Sequence, residues 1–403
     1  MIRKSILYIS YDGMLEPLGQ SQVLAYLIPL AHHNVIYLIS YEKKEDWLNI
    51  KERENLKRKI KESGIVWHPL RYHKKPTALV TLFDIFIGMI LSLWLVLRHK
   101  IGIIHARSYV PSLIAIFLKR LTRIKYIFDM RGFWADEKID GNVWSRKGLL
   151  YRITKSFEKR FLLNTDHLVS LTHAAIREIE KFPYMPSNMP TFSIIPTCAD
   201  LELFSPFSYD KSNELNDKFT LGYVGSVETS YMFDEVITCF IELLKIKPDS
   251  NLLIINRGQH DYIRQRLIAH GIFDERIKII SSKHNDIPMH ISKMDAGIFF
   301  IKPVFSKTAS CPTRFAEFLG CGVPCLANSG VGDIAKIIED GSVGVTLDSF
   351  NEASMNVGLK KLLLLVEDKS TPKRCIDSAK LFFSLTDGVS KYNEIYSHFN
   401  LND

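Results

Sequence analysis

The chain has 403 residues, 46% of them hydrophobic, and its formal net charge at pH 7 is +8. This length and composition predict ordinary globular cores and two domains. The positive charge does not by itself indicate a nucleic-acid partner, because the basic residues are dispersed and no nucleic-acid-binding motif accompanies them.

The charge is divided unequally along the chain. Residues 1–200 hold 30 Lys and Arg against 18 Asp and Glu, a balance of +12, so the remainder has a balance of −4. A basic first half and a nearly neutral second half predict different partners. An anionic membrane surface or a phosphate-bearing acceptor suits the first half.

The six cysteines form no Cys-x-x-Cys pair, and no histidine clusters with them. A zinc site is therefore not expected. The pattern is typical of reduced thiols, which predicts a cytoplasmic protein. A peripheral position at the inner face of the membrane stays open.

Short apolar runs alternate with helical patterns along the first half, which predicts parallel strands joined by helices. The predicted strands are 5–10, 35–40, 66–70, 101–105, 125–128, 166–170 and 193–195. Ligands bind outside the carboxyl ends of such strands. Two loops there stand out: the one that ends at 17–22, where only Gly19 could bring its backbone close to a ligand, and the charged and aromatic loop 129–137.

The most apolar window of the chain is 79–97, which is near the length that spans a membrane. Asp84 and Gly88 interrupt it, and basic residues follow it. A spanning helix would separate the preceding strands from the rest of their domain. We therefore expect either a core helix or a helix that lies in the membrane interface.

The second half repeats the same alternation. Its predicted strands are 219–224, 251–256, 278–281, 296–301, 324–327 and 344–347. Gly225 and Ser226 follow the first of them, Arg257 follows the second, and Lys302 follows the fourth. A polar stretch, 209–218, is predicted to contain the linker between the halves.

The stretch 310–324 reads Ser-Cys-Pro-Thr-Arg-Phe-Ala-Glu-Phe-Leu-Gly-Cys-Gly-Val-Pro. It follows a predicted buried strand, and it predicts a helix with Pro312 at the first helical position, where the missing N–H costs nothing. Ser310 or Cys311 would cap this helix, and Gly320 would end it.

Polar side chains occupy one face of this predicted helix. Thr313, Arg314 and Glu317 are three or four residues apart and therefore share that face. The N–H groups at the helix start, the helix dipole and the Arg314 guanidinium together suit a phosphate, and Glu317 could accept hydrogen bonds from two sugar hydroxyls. The alternative is an ordinary amphipathic helix with an Arg314–Glu317 surface pair.

The pattern Ser-x-Pro-Thr-Arg-x-x-Glu-Phe-Leu-x-x-Gly-x-Pro resembles the donor-binding segment of GT-B glycosyltransferases, specifically the retaining, family-4-like enzymes of glycosyltransferase group 1. In that family the segment carries a Glu-x7-Glu motif, whose second glutamate contacts the nucleotide ribose and corresponds to Glu317. The first glutamate, associated with the donor sugar, is Ala309 here. The loops 17–22 and 129–137 resemble a subgroup that acts in surface polysaccharide assembly.

The resemblance implies an α/β fold with two doubly wound, Rossmann-like domains that face a cleft. Residues 1–205 would form an acceptor-binding domain and residues 206–375 a nucleotide-sugar-binding domain. Residues 376–403, with a last helix near 387–399, would pack back on the first domain.

The resemblance also implies transfer of a sugar from a nucleotide-diphosphate donor to a hydroxyl of a glycan or polyprenyl-linked acceptor, with retention. The expected donor-binding residues are Gly225, Ser226, Arg257, Lys302, Ser310, Pro312, Thr313, Arg314 and Glu317. The expected catalytic residues are Asp129, Arg131 and Arg314, and the expected acceptor-side residues are Gly19, Gln20, Arg107 and Trp134. No metal and no cofactor besides the donor is expected, because there is no Asp-x-Asp signature.

Two other functions remain open. A nucleotide-sugar 2-epimerase has the same fold but needs additional acid and base carboxylates near the donor. A non-catalytic, membrane-associated partner in polysaccharide assembly is the second, and it would not be stabilised by UDP or GDP.

Overall fold

The computed structural model describes residues 4–73, 77–206, 218–273 and 275–399. The chain divides into two units, Met1–Pro196 with Leu385–Asp403, and Thr197–Ser384. The boundaries predicted from the sequence were 205/206 and 375/376. The predicted linker, apart from its residue 218, lies outside the described residues.

The first unit contains a seven-stranded sheet in which every pair of neighbours is parallel. Its strands are β1 (Lys4–Ser10), β2 (Asn34–Glu42), β3 (Val66–Arg71), β4 (Ile103–Arg107), β5 (Lys125–Asp129), β6 (His167–Ser170) and β7 (Phe192–Ile194). The order is β3-β2-β1-β4-β5-β6-β7. The strand order therefore reverses between β1 and β4, which is where such sheets bind ligands at their carboxyl edge.

Helices connect these strands. They are α1 (Pro17–Gly19), α2 (Ala25–Leu30), α3 (Lys44–Trp47), α4 (Ile50–Glu62), α5 (Thr77–His99), α6 (Tyr109–Thr122), α7 (Trp134–Asp140), α8 (Leu149–Asn164) and α9 (His173–Glu180). A π-helical turn, Gln20–Leu24, joins α1 to α2. The predicted loop up to residue 22 is therefore wrong in its second half, because Pro17 fixes a helical φ and starts a helix there.

The second unit contains a six-stranded parallel sheet in the order β10-β9-β8-β11-β12-β13. Its strands are β8 (Thr220–Val224), β9 (Asn251–Ile255), β10 (Ile277–Ile280), β11 (Ala296–Ile298), β12 (Cys325–Asn328) and β13 (Gly344–Leu347). Its helices are α10 (Phe233–Ile246), α11 (His260–Ala269), α12 (Ile287–Ile291), α13 (Thr313–Gly320), α14 (Ile334–Gly341), α15 (Glu352–Glu367) and α16 (Thr371–Phe383). Two Rossmann-like α/β sheets confirm the predicted fold class.

The last helix, α17 (Leu385–His398), belongs to the first unit and packs against α2. The Lys4 ammonium donates to the Tyr396 carbonyl oxygen over 2.6 Å, and the Tyr392 ring meets the Tyr26 ring edge-on at 5.6 Å. The C-terminal residues thus complete the core of the first unit.

Helix α5 is the one helix among the described residues that is long and apolar enough to cross a membrane, with a mean hydropathy of 2.3 over Val80–His99. Only one third of it is buried, so it is not an ordinary core helix. The residues that interrupt its apolar pattern face inward. Asp84 accepts hydrogen bonds from Tyr11 and His73, and a Cβ at Gly88 would lie 2.1 Å from the Tyr41 hydroxyl.

Candidate functional site

Helix α13 begins one residue later than predicted. Pro312 precedes it with φ −69° and ψ 121°. The proline ring fixes φ but not ψ, and this extended ψ keeps Pro312 outside the helix. Ser310 is not the cap; it ends a 3₁₀ turn, Phe305–Ala309, and its amide donates to the Lys307 carbonyl oxygen over 3.1 Å. The shift leaves Thr313 and Arg314 in the first turn of the helix.

Arg314 is 7% exposed and is held by aromatic rings. Its guanidinium carbon lies 4.1 Å from the centroid of the Tyr231 ring and 5.0 Å from that of Tyr223. Nη2 donates to the Ser226 carbonyl oxygen over 3.4 Å, whereas Nη1 is buried with no hydrogen-bond partner among the described residues. A buried guanidinium N–H without an acceptor is costly, so this group is suited to an added anion.

Gly225 leaves the space that the Arg314 guanidinium occupies. Its φ is +107°, and a Cβ at this position would lie 2.4 Å from Arg314 Nη2. The Asn256 amide donates to the Gly225 carbonyl oxygen over 2.9 Å, which fixes the loop after β8. A side chain at residue 225 would strain the backbone and displace the guanidinium.

Glu317 lies one turn further along α13 and is 8% exposed. Burial raises its pKa to about 7, although the charge of Arg314 acts in the opposite direction. No cation among the described residues lies within ion-pair distance of its carboxylate, so the predicted alternative of an Arg314–Glu317 surface pair is wrong on both burial and contact. None of the residues that the structure describes donates a hydrogen bond to this carboxylate, and sugar hydroxyls could do so.

Of the other predicted donor residues, Ser226 lies in the loop after β8, and Lys302 contacts that loop. The Ser226 hydroxyl donates to Gln259 Oε1 over 3.1 Å, and the Lys302 amide donates to the Ser230 carbonyl oxygen over 2.9 Å. The side chains of Lys302 and Arg257 are exposed. An open pocket of about 610 Å³ adjoins this loop, and Tyr231, Tyr262 and Lys302 are among its lining residues.

In the first unit, charged side chains gather at the carboxyl edge of the sheet. Arg107 ends β4 and Asp129 ends β5, and the strand register pairs these two residues directly. Asp129 is 1% exposed, and it lies 3.8 Å from a terminal nitrogen of Arg107 and 3.8 Å from one of Arg131. Asp129 and Arg131, both expected to be catalytic, are therefore paired with each other at the edge of the sheet.

Further groups complete this charged cluster. His105 Nε2 lies 3.6 Å from Asp129 Oδ2, and the Tyr392 hydroxyl donates to the same oxygen over 3.2 Å. Burial alone would raise the pKa of Asp129, but Arg131, His105 and Arg107 outweigh it and the pKa is lowered. Arg131 has a left-handed backbone, φ +50°, a conformation that costs about 1–3 kcal/mol and that the cluster holds in place.

His105 is completely buried, and its Nδ1 lies 2.7 Å from the Tyr396 hydroxyl. Burial lowers its pKa, and Asp129 only partly opposes this. The described residues contain no group of three or more His, Cys, Asp or Glu side chains that could hold a metal ion.

Two family models match most of the chain between them. The model described as Glycosyl transferases group 1 matches residues 206–382, and the model described as Glycosyltransferase Family 4 matches residues 53–203. The chain belongs to these GT-B glycosyltransferases. The resemblance inferred from the 310–324 motif is thereby confirmed, whereas retention and the polysaccharide subgroup stay predictions.

Solved structures share the fold of this glycosyltransferase at low sequence identity. Sucrose-phosphate synthase from Thermosynechococcus elongatus is 12% identical over 100% of both chains, with a TM-score of 0.76. A glycosyltransferase from Rickettsia africae is 12% identical over 100% of both chains, with a TM-score of 0.72. HepE from Anabaena, solved with UDP and glucose, is 13% identical over 98% of this chain and 100% of its own, with a TM-score of 0.68. No curated protein sequence matches the glycosyltransferase.

Three predicted acceptor-side residues of this glycosyltransferase make their described contacts with residues outside the charged cluster. A Cβ at Gly19 would lie 2.0 Å from the Gly13 carbonyl oxygen, so the missing side chain lets the loop pack on itself. The approach of the Gly19 backbone to a ligand stays a prediction. Gln20 is exposed and donates to the Leu15 carbonyl oxygen over 3.4 Å. Trp134 packs in an aromatic group, with its ring 5.7 Å from that of Tyr109 and 5.3 Å from that of Trp144.

The aromatic residues of both sites were not among the residues predicted from the sequence. Tyr223 and Tyr231 hold Arg314, and their signal was weak, because tyrosines around a strand are ordinary core residues. Tyr392 and Tyr396 are four residues apart on the last helix, a spacing that predicts a shared face and could have been noticed.

Proposed function

We propose that this glycosyltransferase moves a sugar from a nucleotide-diphosphate donor to a hydroxyl of a glycan or polyprenyl-linked acceptor, with retention, in cell-surface polysaccharide synthesis. The observation that carries the donor class is the buried guanidinium of Arg314 with its unpaired Nη1. HepE from Anabaena, which has a similar fold, was solved with UDP and with UDP-glucose, and this supports a nucleotide-sugar donor here. The cytoplasmic location stays a prediction.

Arg314 would stabilise the leaving diphosphate. Negative charge accumulates on this group as its bond to the sugar breaks, and stabilising that charge is the main catalytic demand of the reaction. The rings of Tyr223 and Tyr231 already fix the guanidinium, so little side-chain freedom is lost when it binds. Thr313 at the helix start and the exposed Lys302 are further candidates for phosphate contacts.

Glu317 would bind the ribose. Two hydroxyls that donate to a carboxylate favour its charged form, which offsets the effect of burial on its pKa. We therefore expect bound nucleotide to lower the pKa of Glu317 and donor affinity to fall as Glu317 becomes protonated below about pH 7.

The first unit would bind the acceptor's hydroxyl groups through N–H groups of Arg107 and Arg131. Asp129 is buried and its pKa is lowered, so it is a weak proton acceptor, and we assign it to holding the two arginines. The proton of the acceptor hydroxyl would pass to an oxygen of the leaving diphosphate, which requires no protein base.

A thermal-shift screen against a panel of nucleotide sugars tests the donor class. We expect stabilisation by UDP or GDP compounds, and strong loss of it in Glu317→Ala. Unchanged nucleotide affinity in that variant would contradict the assignment of the ribose contact. Conversion of the donor without an acceptor would indicate the epimerase, and no stabilisation by any nucleotide would indicate the non-catalytic partner.

A further inference from the structure

Helix α5 presents a continuous apolar stripe to the outside of the first unit. Six large side chains on it are between 53% and 65% exposed: Leu82, Phe83, Phe86, Ile90, Trp94 and Leu97. Their spacing of mostly three or four residues places them on one side of the helix. A stripe of this size is larger than the scattered apolar residues of an ordinary surface.

Two neighbouring helices extend the stripe into a wider surface. Helix α5 packs against α6, and α6 packs against α8, so the three helices form one layer on the sheet. Helix α6 adds exposed Phe117 and Leu121, and the start of α8 adds exposed Leu149, Leu150 and Ile153. We call the outer side of α5, α6 and α8 the three-helix face.

The charges of the three-helix face have one sign. Its exposed charged side chains are Arg98, Arg120, Arg152, Lys159 and Arg160. The three helices contain only two carboxylates, Asp84 and Glu158, and these are 2% and 0% exposed. No exposed carboxylate of these helices therefore offsets the cations, so the face complements an anionic surface.

We propose that the three-helix face docks on a bilayer that contains anionic phospholipid, with α5 lying in the interface. The apolar stripe enters the boundary between headgroups and acyl chains, and the arginines and lysines pair with lipid phosphates. This docking is independent of the sugar donor, and it would bring the first unit to a polyprenyl-linked acceptor, which is the acceptor class of the proposed function.

The fold excludes a spanning α5. The helix connects β3 to β4, and both strands belong to one parallel sheet, so neither end of α5 can leave the side on which the sheet lies. A second copy of the chain is a poor partner for the same face. A twofold contact places a surface against itself, and here it would oppose cations to cations with no exposed carboxylate between them.

Vesicle co-sedimentation tests the proposal with the full chain. We expect at least about tenfold stronger binding to vesicles of phosphatidylcholine with about 30% phosphatidylglycerol than to pure phosphatidylcholine, and weakening by salt. Phe86→Glu with Trp94→Glu should reduce binding at least about tenfold, because both changes put a carboxylate on the face. Leu364→Glu with Leu381→Glu is the matched control, since these leucines of the second unit are 67% and 71% exposed, and it should bind as the wild type does.

A second measurement does not depend on disruptive variants. Brominated phosphatidylglycerol in the vesicles should quench the fluorescence of Trp94, and the quenching should be lost in Trp94→Phe, which leaves the other four of the five tryptophans. Any of three results would overturn the proposal. The first is absence of quenching, and the second is full vesicle binding by the Phe86→Glu, Trp94→Glu protein. The third is light scattering that shows a wild-type dimer which those two changes dissociate. Stabilisation by UDP, measured on the same samples, reports separately on the proposed function.

Discussion

Buried or nearly buried arginines lie at or near the carboxyl edge of the sheet in both units, but only those of the first unit are paired with a carboxylate. In the first unit Arg107 and Arg131 lie 3.8 Å from Asp129, and Arg107 also lies 3.3 Å from Asp12. In the second unit no carboxylate of the described residues lies within 4.0 Å of Arg314, which packs against two tyrosine rings. A buried cation without a carboxylate partner favours binding of an anionic ligand. A buried cation that is already paired with a carboxylate favours it much less.

The largest effect is expected in the first unit, where one buried carboxylate lies beside two arginines. Asp129→Asn would remove the carboxylate that Arg107 and Arg131 share and leave only Asp12 beside Arg107, and we expect it to lower the free energy of unfolding by about 3–5 kcal/mol. Denaturant unfolding measures this. Asp261→Asn is the control, because Asp261 pairs with Arg264 at 3.1 Å on the surface with its side chain 94% exposed, and it should change stability by less than about 0.5 kcal/mol. Equal effects of the two changes would contradict the comparison.

Glu317→Gln should act in the opposite direction. The pKa of Glu317 in the folded protein is about 7, above the ordinary 4.5, so the native state binds more protons than the unfolded state between these values. Wild-type stability should therefore fall by up to about 3 kcal/mol as the pH rises from 4.5 through 7. The Gln variant should lack this loss, be more stable at pH 8, and bind nucleotide less well.

The control for this change is Glu367→Gln, at an exposed position on α15, which should keep the wild-type pH dependence. If the Gln variant of Glu317 is less stable than the wild type at pH 8, the ionised carboxylate is already stabilised by groups of the second unit. That result would contradict the view that a bound ligand supplies its hydrogen-bond donors.

Gly225→Ala tests whether Arg314 needs a residue without a side chain at position 225. The new Cβ would meet Nη2, and the residue would keep φ near +107°, so we expect a loss of about 1–3 kcal/mol in stability together with loss of nucleotide binding. Gly258→Ala is the control, because a Cβ there meets nothing within 4 Å. Thermal unfolding with and without UDP separates the two effects, and a Gly225→Ala protein that binds UDP normally would contradict this requirement.

Tyr396→Phe should have the smallest effect. It removes the hydroxyl that lies 2.7 Å from His105 Nδ1, which should cost about 1 kcal/mol. Denaturant unfolding at pH 8, where His105 is neutral in both the folded and unfolded states, isolates this hydrogen bond. Tyr262→Phe, at the exposed ring on α11, is the control, and a change as small as that of the control would show that the hydrogen bond contributes nothing.

Much of the fold could be predicted from the sequence, because buried parallel strands are short apolar runs that local sequence reveals. The starts of helices were less certain where proline was involved. Pro17 starts a helix inside a predicted loop, whereas Pro312 stays outside the helix that it was expected to start. The difference lies in ψ, which the proline ring does not fix and which the surrounding chain decides.

The candidate site was partly predictable for a similar reason. Arg314 and Glu317 share a helix, so their spacing places them on one face without any tertiary information. The groups that define their surroundings come from elsewhere: the Ser226 carbonyl that accepts from Arg314 is 88 positions away, and Tyr392 is 263 positions from the Asp129 that it contacts. Spacing within one helix carries no signal for such contacts.

Calorimetric titration of UDP into the wild type and Arg314→Ala tests the central claim most directly, with Arg264→Ala on the surface of α11 as the control. Because the Arg314 guanidinium has no carboxylate partner among the described residues, we expect Arg314→Ala to weaken UDP binding by at least about thirtyfold. Arg314→Lys should have an intermediate effect, and the control should bind as the wild type does. Equal UDP affinity in Arg314→Ala and the wild type, with both proteins folded, would contradict the claim that this helix start binds the donor diphosphate.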